Sequence, residues 1–204
     1  MKTVSKTRSQ LKREAIIAAA KAAFKEYGVQ GTSMDKLAEL AQVSKRTVYN
    51  HFETKEALLM YLVAELWQKA EAQVDVSYQK DIALKPQLIA LLNAEISFIS
   101  SEDHMDVTKV AIGHFFYNSA ALQKEFDKIS CQENAITRWP NSAIEDNKLA
   151  INDVDFASDQ LHGLIKASCF WPQLFQMEDR ISKEKREFLA KETAEMFLAR
   201  YQIT

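Results

Sequence analysis

Chain breakers are scarce in this sequence, with four glycines and three prolines spread over 204 residues. Glycine weakens a helix by roughly 1 kcal/mol relative to alanine and proline by roughly 3. A chain with so few of either, and many Ala, Leu, Glu, Lys and Gln residues, has little to stop helices from forming. The expected fold class is therefore all-α, with about nine helices. The length allows one large domain or two small ones, and either can bury a proper core.

The most informative helical stretch is TSMDKLAELAQVSKRTVYNHFETK, from Thr32 to Lys55. Thr32 or Ser33 can cap a short helix, because a side-chain oxygen there satisfies backbone N–H groups of the first turn. Asp35 adds negative charge where the helix dipole favours it. Met34, Leu37, Ala38 and Ala41 fall on one face. Gln42 and Val43 leave room only for a tight turn before Ser44, a second cap that opens a helix from Lys45 to about Phe52. On it Val48 and Phe52, four apart, point inward.

The outward residues of that second helix are Lys45, Arg46, Thr47, Tyr49, Asn50 and His51. Two cations, two hydroxyls, an amide and an imidazole on two turns suit a helix lying in a DNA major groove. There Arg and Lys donate to guanine O6 and N7, Asn pairs with adenine, and hydroxyls reach phosphates. Thr54 is a third cap, and Lys55 behind it stands where a cation and free backbone N–H groups can together hold a phosphate.

The run GTSMDKLAELAQVSKRTVYNHFETKEALL, extended upstream through REAIIAAAKAAFKEYG, resembles the DNA-binding domain of the TetR family of bacterial transcriptional regulators over roughly the first 60 residues. The resemblance implies that Lys45, Arg46, Tyr49 and Asn50 face bases or the nearby backbone. It implies that Thr32, Ser33, Ser44, Thr47, His51 and Lys55 are mainly phosphate contacts. Gln42 departs from the family pattern, in which glycine is common at the turn, and a positive φ there costs on the order of 1–2 kcal/mol.

Charge is divided along the chain. Residues 1–60 hold eleven Lys and Arg against six Asp and Glu, whereas residues 61–204 hold 15 against 22. A run of cations alone usually marks a solvated face. Beside this motif, Lys2, Lys6, Arg8, Lys12 and Arg13 read as an arm and helix start near phosphates. Cys131 and Cys169 stand far apart in no CxxC pattern, so reduced thiols are expected and no disulfide. The opening residues are polar and basic, and no apolar run approaches the roughly 18 residues of a membrane span. A cytoplasmic protein with no membrane partner is expected.

Elsewhere, helical spacing predicts a first helix carrying Ile16, Ala20, Ala23, Phe24 and Tyr27 and ending at Gly28. One long helix is expected from Thr54 to about Tyr78, spanning about 36 Å, then others over Leu88–Ile99 and around Val107–Phe115. Ser119 is expected to open a helix that stops before Pro140, with Asn141–Asn152 a loop. A helix around Phe156–Ser168 ends near Pro172, and a last one is capped by Ser182. The expected division is a helix-turn-helix domain at residues 1–55 and a helical effector-binding and dimerisation domain at 56–204.

The stretch DFASDQLHGLIKASCFWPQLF resembles the C-terminal domain of the AefR-like branch of the family. That implies a dimer interface of this helix and the last one, involving Phe156, Gln160, Leu161, Leu164, Ser168 and Phe197. A dimer also makes physical sense, since a two-fold pair reads two half-sites of a palindromic operator about 34–36 Å apart or at multiples of that spacing. By spacing alone Phe98, Met105, His114, Phe115, Tyr117, Trp139, Phe170 and Trp171 read more readily as core than as a pocket wall, and it is the resemblance that implies a pocket for a small, mostly apolar effector. His104, His114 and His162 lack metal-site spacing, so no metal and no cofactor is expected. An all-helical enzyme or carrier finds no P-loop, GxSxG or CxxC motif here. A regulator that binds DNA without any inducer is the nearer alternative.

Overall fold

The computed structural model describes residues 6–74, 76–116 and 134–203. Among these residues ten helices form and no strand: α1 Arg8–Tyr27, α2 Met34–Leu40, α3 Lys45–His51, α4 Lys55–Gln73, α5 Leu84–Ile99, α6 Glu102–Phe115, α7 Ala135–Glu145, α8 Val154–Cys169, α9 Trp171–Leu174 and α10 Lys183–Tyr201.

Local side-chain chemistry sets most of the starts. Thr7 and Gln10 form a capping box on α1, and Asn134 with Thr137 forms another on α7. Ser33, Ser44, Thr54, Asp153 and Ser182 each accept a bond from the backbone N–H three residues on. Each cap satisfies a donor that the first helical turn leaves unpaired. Gly28 ends α1 at φ 69°, a conformation open to glycine without steric cost.

The described residues gather into two compact units, 6–66 with 106–116 and 67–105 with 134–203. In the first, Ile16, Ala20 and Phe24 of α1 pack with Leu37 of α2, Val48 of α3 and Leu58, Leu59 and Leu62 of α4. Val107 and Phe115 of α6 belong to the same core. The ion pairs on its surface include Lys21 to Glu65 at 2.9 Å and Lys25 to Asp106 at 2.6 Å. In the second unit Leu88, Leu91, Leu92 and Ile96 of α5 pack with Trp139 of α7, Leu161 and Ile165 of α8, and Ala190, Ala194 and Phe197 of α10.

Besides the start of α5, which lies at Leu84 rather than Leu88, three boundaries differ from expectation. The long helix ends at Gln73, not near Tyr78. The connector after it is held by the buried amide of Gln87, which accepts from Gln79 N–H at 2.7 Å and donates to the Gln79 and Ile82 carbonyls. A side chain that supplies this many backbone partners replaces the bonds a further helical turn would have made.

The second difference is a helix start at Ala135, capped by Asn134, inside the stretch expected as a single helix; the expected cap, Ser119, lies outside the described residues. The third is that α7 runs through Pro140 and includes Asn141–Glu145, which were expected in a loop. Proline inside a helix costs about 3 kcal/mol, but here Ala135, Ile136, Trp139, Pro140 and Ala143 form one buried face. Burying that face offsets the loss, at roughly 1.5–3 kcal/mol for each large side chain.

Candidate nucleic-acid interface

The turn between α2 and α3 holds a strained backbone position. Val43 N–H donates to Ala38 O at 3.0 Å and Gln42 N–H to Glu39 O at 3.1 Å, the bond pair of a Schellman ending. Such an ending needs a left-handed residue, and Gln42 fills that place at φ 53°. The positive φ that carries a cost at this departure from glycine is present. With the turn closed, Val48 and Phe52 enter the core and the opposite face of α3 is left to solvent.

On that face Lys45, Arg46, Tyr49 and Asn50 are all exposed, Tyr49 by 52%. Thr47 and His51 are half-buried at its edges. Ser33 and Ser44 are exposed, but their hydroxyls already accept from Lys36 and Thr47 N–H as caps. Ser44 Oγ also lies 2.8 Å from Thr47 Oγ1, so the two hydroxyls share one hydrogen bond. Each keeps further hydrogen-bonding capacity for a phosphate.

Thr32 departs from the expected phosphate role. Its side chain is buried, and its hydroxyl donates towards the Gly28 carbonyl at 2.8 Å and the Ala23 carbonyl at 3.3 Å. It ties the end of α1 to the start of α2, and Ser33 is the cap. Lys55 is half-committed in the same way: its ammonium donates to Thr32 O at 3.1 Å and Gln30 O at 3.3 Å. An ammonium has three protons, so one remains for a phosphate.

Two positioning contacts were not legible in the sequence. The Arg13 guanidinium lies 4.2 Å from the centre of the Tyr61 ring and 5.1 Å from that of Phe52, the residue that closes α3. A cation over two aromatic faces is held electrostatically as well as by packing, so α1 braces the far end of α3. At its near end, Lys45 Nζ meets Asp35 Oδ2 at 2.6 Å.

In the second unit the expected effector residues fall in different surroundings. Phe98 and Phe170 flank His104, with ring centres 5.0 and 5.8 Å from it, and Trp171 packs on Phe170 at 4.8 Å. Met105 is half-buried against the same core. Burial lowers the His104 pKa to about 4, and its Nδ1 has no hydrogen-bond partner among the described residues. Trp139 packs edge-on against Tyr78 instead. His114 and Phe115 belong to the first unit, and Tyr117 lies outside the described residues. A surface pocket of about 320 Å³ lined by Lys80, Ile82, Leu84, Asn147, Lys148 and Gln202 includes none of the eight. Burial pushes the nearby Cys169 thiol up to about 12, so it stays protonated; Cys131 lies outside the described residues.

The expected interface residues also divide. Phe156, Gln160 and Leu164 are exposed along one face of α8, with Ser168 half-buried. Leu161 and Phe197 are instead buried in the core of their own chain, because they fall on the opposite faces of α8 and α10. Their side chains pack inside this chain and are closed to contact from outside it. No cluster of three His, Cys, Asp or Glu side chains gathers among the described residues, and no described helix is long and apolar enough to cross a membrane.

Comparison with known proteins covers both units. Residues 16–62 match the family described as bacterial regulatory proteins, tetR family, and residues 86–203 match the AefR-like transcriptional repressor C-terminal domain. The chain is 26% identical over 135 residues to the HTH-type transcriptional regulator YhgD of Bacillus subtilis, covering 66% of this chain and 68% of that one. A TetR family transcriptional regulator from Pseudomonas syringae is 33% identical with a TM-score of 0.82, covering 94% of this chain and 97% of the other. A regulator of the same family from Mesorhizobium loti is 25% identical with a TM-score of 0.78, covering 97% and 100%.

Proposed function

Since this chain belongs to the TetR family of bacterial transcriptional regulators, we propose that it represses its targets by binding a palindromic operator as a homodimer, and that a small, mostly apolar molecule releases it. DNA reading falls to residues 1–55, and effector binding and dimerisation to 56–204. Work on chromosomal DNA places the protein in the cytoplasm.

The observation that carries this reading is the outward face of α3, where Lys45, Arg46, Tyr49 and Asn50 stand exposed over the buried Val48 and Phe52. Those side chains offer the donors, amide and hydroxyl that base edges and phosphates accept. One seven-residue helix spans only a few base pairs, so specificity calls for a second copy. The apolar and amide groups of Phe156, Gln160 and Leu164 on α8 supply a face for it.

Release by an effector requires that the molecule bind the non-DNA-binding state more tightly, by roughly 1–3 kcal/mol for ordinary coupling. The rings of Phe98 and Phe170 beside the unpartnered His104 Nδ1, with Trp171 on Phe170, support an apolar effector that carries one hydrogen-bonding group. Helix α4 passes from one unit into the other after Leu66, and α6 does so after Met105, so these two helices are the segments through which such a change reaches the DNA-reading helices.

Selection of bound sequences from random duplex DNA tests the proposal, with affinity then measured at two salt concentrations. Recovery of one palindrome, bound tightly by two protomers, is the expected result. Weak, salt-sensitive binding without enrichment sinks the sequence-reading assignment.

A further inference from the structure

We propose that Asp35 sets how strongly the recognition helix discriminates between sequences, by holding the Lys45 ammonium against the protein instead of leaving it to any phosphate it meets. The inference rests on the DNA-reading assignment of α3.

Lys45 opens α3 and Asp35 lies in the first turn of α2, and the two meet across the turn at 2.6 Å. Their placement is electrostatically unequal. A carboxylate is favoured at a helix N-terminus and a cation is disfavoured there. Lys45 therefore occupies the end of α3 that least suits it, and the carboxylate of Asp35 is its counter-ion. The neighbouring cation does not compete, because Lys36 pairs with Glu39 at 3.2 Å on the same helix.

Both partners of the Asp35–Lys45 pair are largely exposed, at 58% and 66% of their side-chain surface. Such a pair opens readily in water, so a better acceptor can compete. A phosphate is a poor competitor. Lys45 already has a counter-ion, so contact with phosphate releases fewer condensed ions from the DNA, and the Asp35 carboxylate repels the phosphate.

A guanine edge behaves differently. With one proton of the ammonium on Asp35, two remain for O6 and N7 together, and neither acceptor carries a full charge for Asp35 to repel. The pair thus weakens contact with arbitrary sequence more than contact with the correct base. Discrimination arises as a difference between the two affinities.

The test uses the full chain carrying Asp35→Asn, with the operator recovered by selection and a scrambled duplex of equal length. The variant should bind the scrambled duplex several-fold more tightly at low salt. Its slope of log affinity against log salt should steepen by about 0.9, so between about 50 and 200 mM its affinity falls about threefold further than wild type. The operator-to-scrambled ratio should fall.

Adding Lys45→Ala to Asp35→Asn should abolish both gains, which a purely structural role for Asp35 would not produce. An unchanged slope and ratio, in wild-type protein that does prefer the operator, overturns the proposal alone. Wild-type protein without any sequence preference overturns the DNA-reading assignment, and the proposal with it.

Discussion

The Ser158 hydroxyl of α8 donates to the carbonyl of Ile136 on α7, at 3.3 Å in a buried setting. That oxygen would otherwise accept from the backbone N–H four residues on, and the residue there is Pro140, which has none. A side chain from a neighbouring helix thus completes the helix that the proline leaves open.

Ser158→Ala should destabilise the protein by about 1–2 kcal/mol, because it leaves a buried acceptor without a partner. In a Pro140→Ala background, where the backbone N–H returns, the same change should cost clearly less. Denaturant unfolding of the four proteins of this cycle measures the difference, and equal costs in both backgrounds would refute the link.

His104, set between the rings of Phe98 and Phe170, ties stability to pH. Burial lowers its pKa to about 4, against about 6.5 in the unfolded chain. The unfolded chain therefore binds the extra proton first. The contribution of His104 is complete above about pH 6.5, declines as pH falls towards 4, and is level below that. At 1.36 kcal/mol per pH unit, discounted for partial exposure, the decline is about 2–3 kcal/mol. His104→Leu should remove this component from a stability series measured between pH 7 and 4, and an identical pH profile would count against it.

Lys55 joins two roles, since its ammonium bonds the Gln30 and Thr32 carbonyls and keeps one proton for DNA. Lys55→Ala should lower stability by about 1 kcal/mol and reduce the salt slope of DNA binding by about 0.9. A stability loss with no change in slope would leave Lys55 as a loop anchor only.

Tyr49→Ala and Asn50→Ala change side chains that stand out from α3 without entering the core. Each should weaken operator binding by about 1–3 kcal/mol while leaving the melting temperature and sedimentation unchanged. Wild-type operator affinity in both variants would remove α3 as the reader.

Leu164 is 37% exposed on the α8 face that carries Phe156 and Gln160. A charge there would be buried without a partner in a dimer, so Leu164→Glu should sediment as a monomer at concentrations where wild type is dimeric, and should lose operator binding with it. An unchanged sedimentation profile would place the interface elsewhere.

What the sequence determined by itself was whatever a few consecutive residues decide. Ser33, Ser44, Thr54 and Ser182 start helices because a cap reaches only three residues ahead, and Gly28 stops one for an equally local reason. Val48 and Phe52 turn inward by helical spacing, which leaves the candidate DNA-reading face outward. The tertiary structure decided what depends on partners distant in the chain. Thr32 turns its hydroxyl inward to Gly28 and Ala23, Leu161 and Phe197 serve their own core, and Pro140 stays helical because Ser158 and a buried face compensate for it. Asp35 and Lys45 likewise meet only once the turn between their helices has closed. Capping and periodicity act over one turn of helix, whereas burial and ion pairing depend on which surfaces the folded chain brings together.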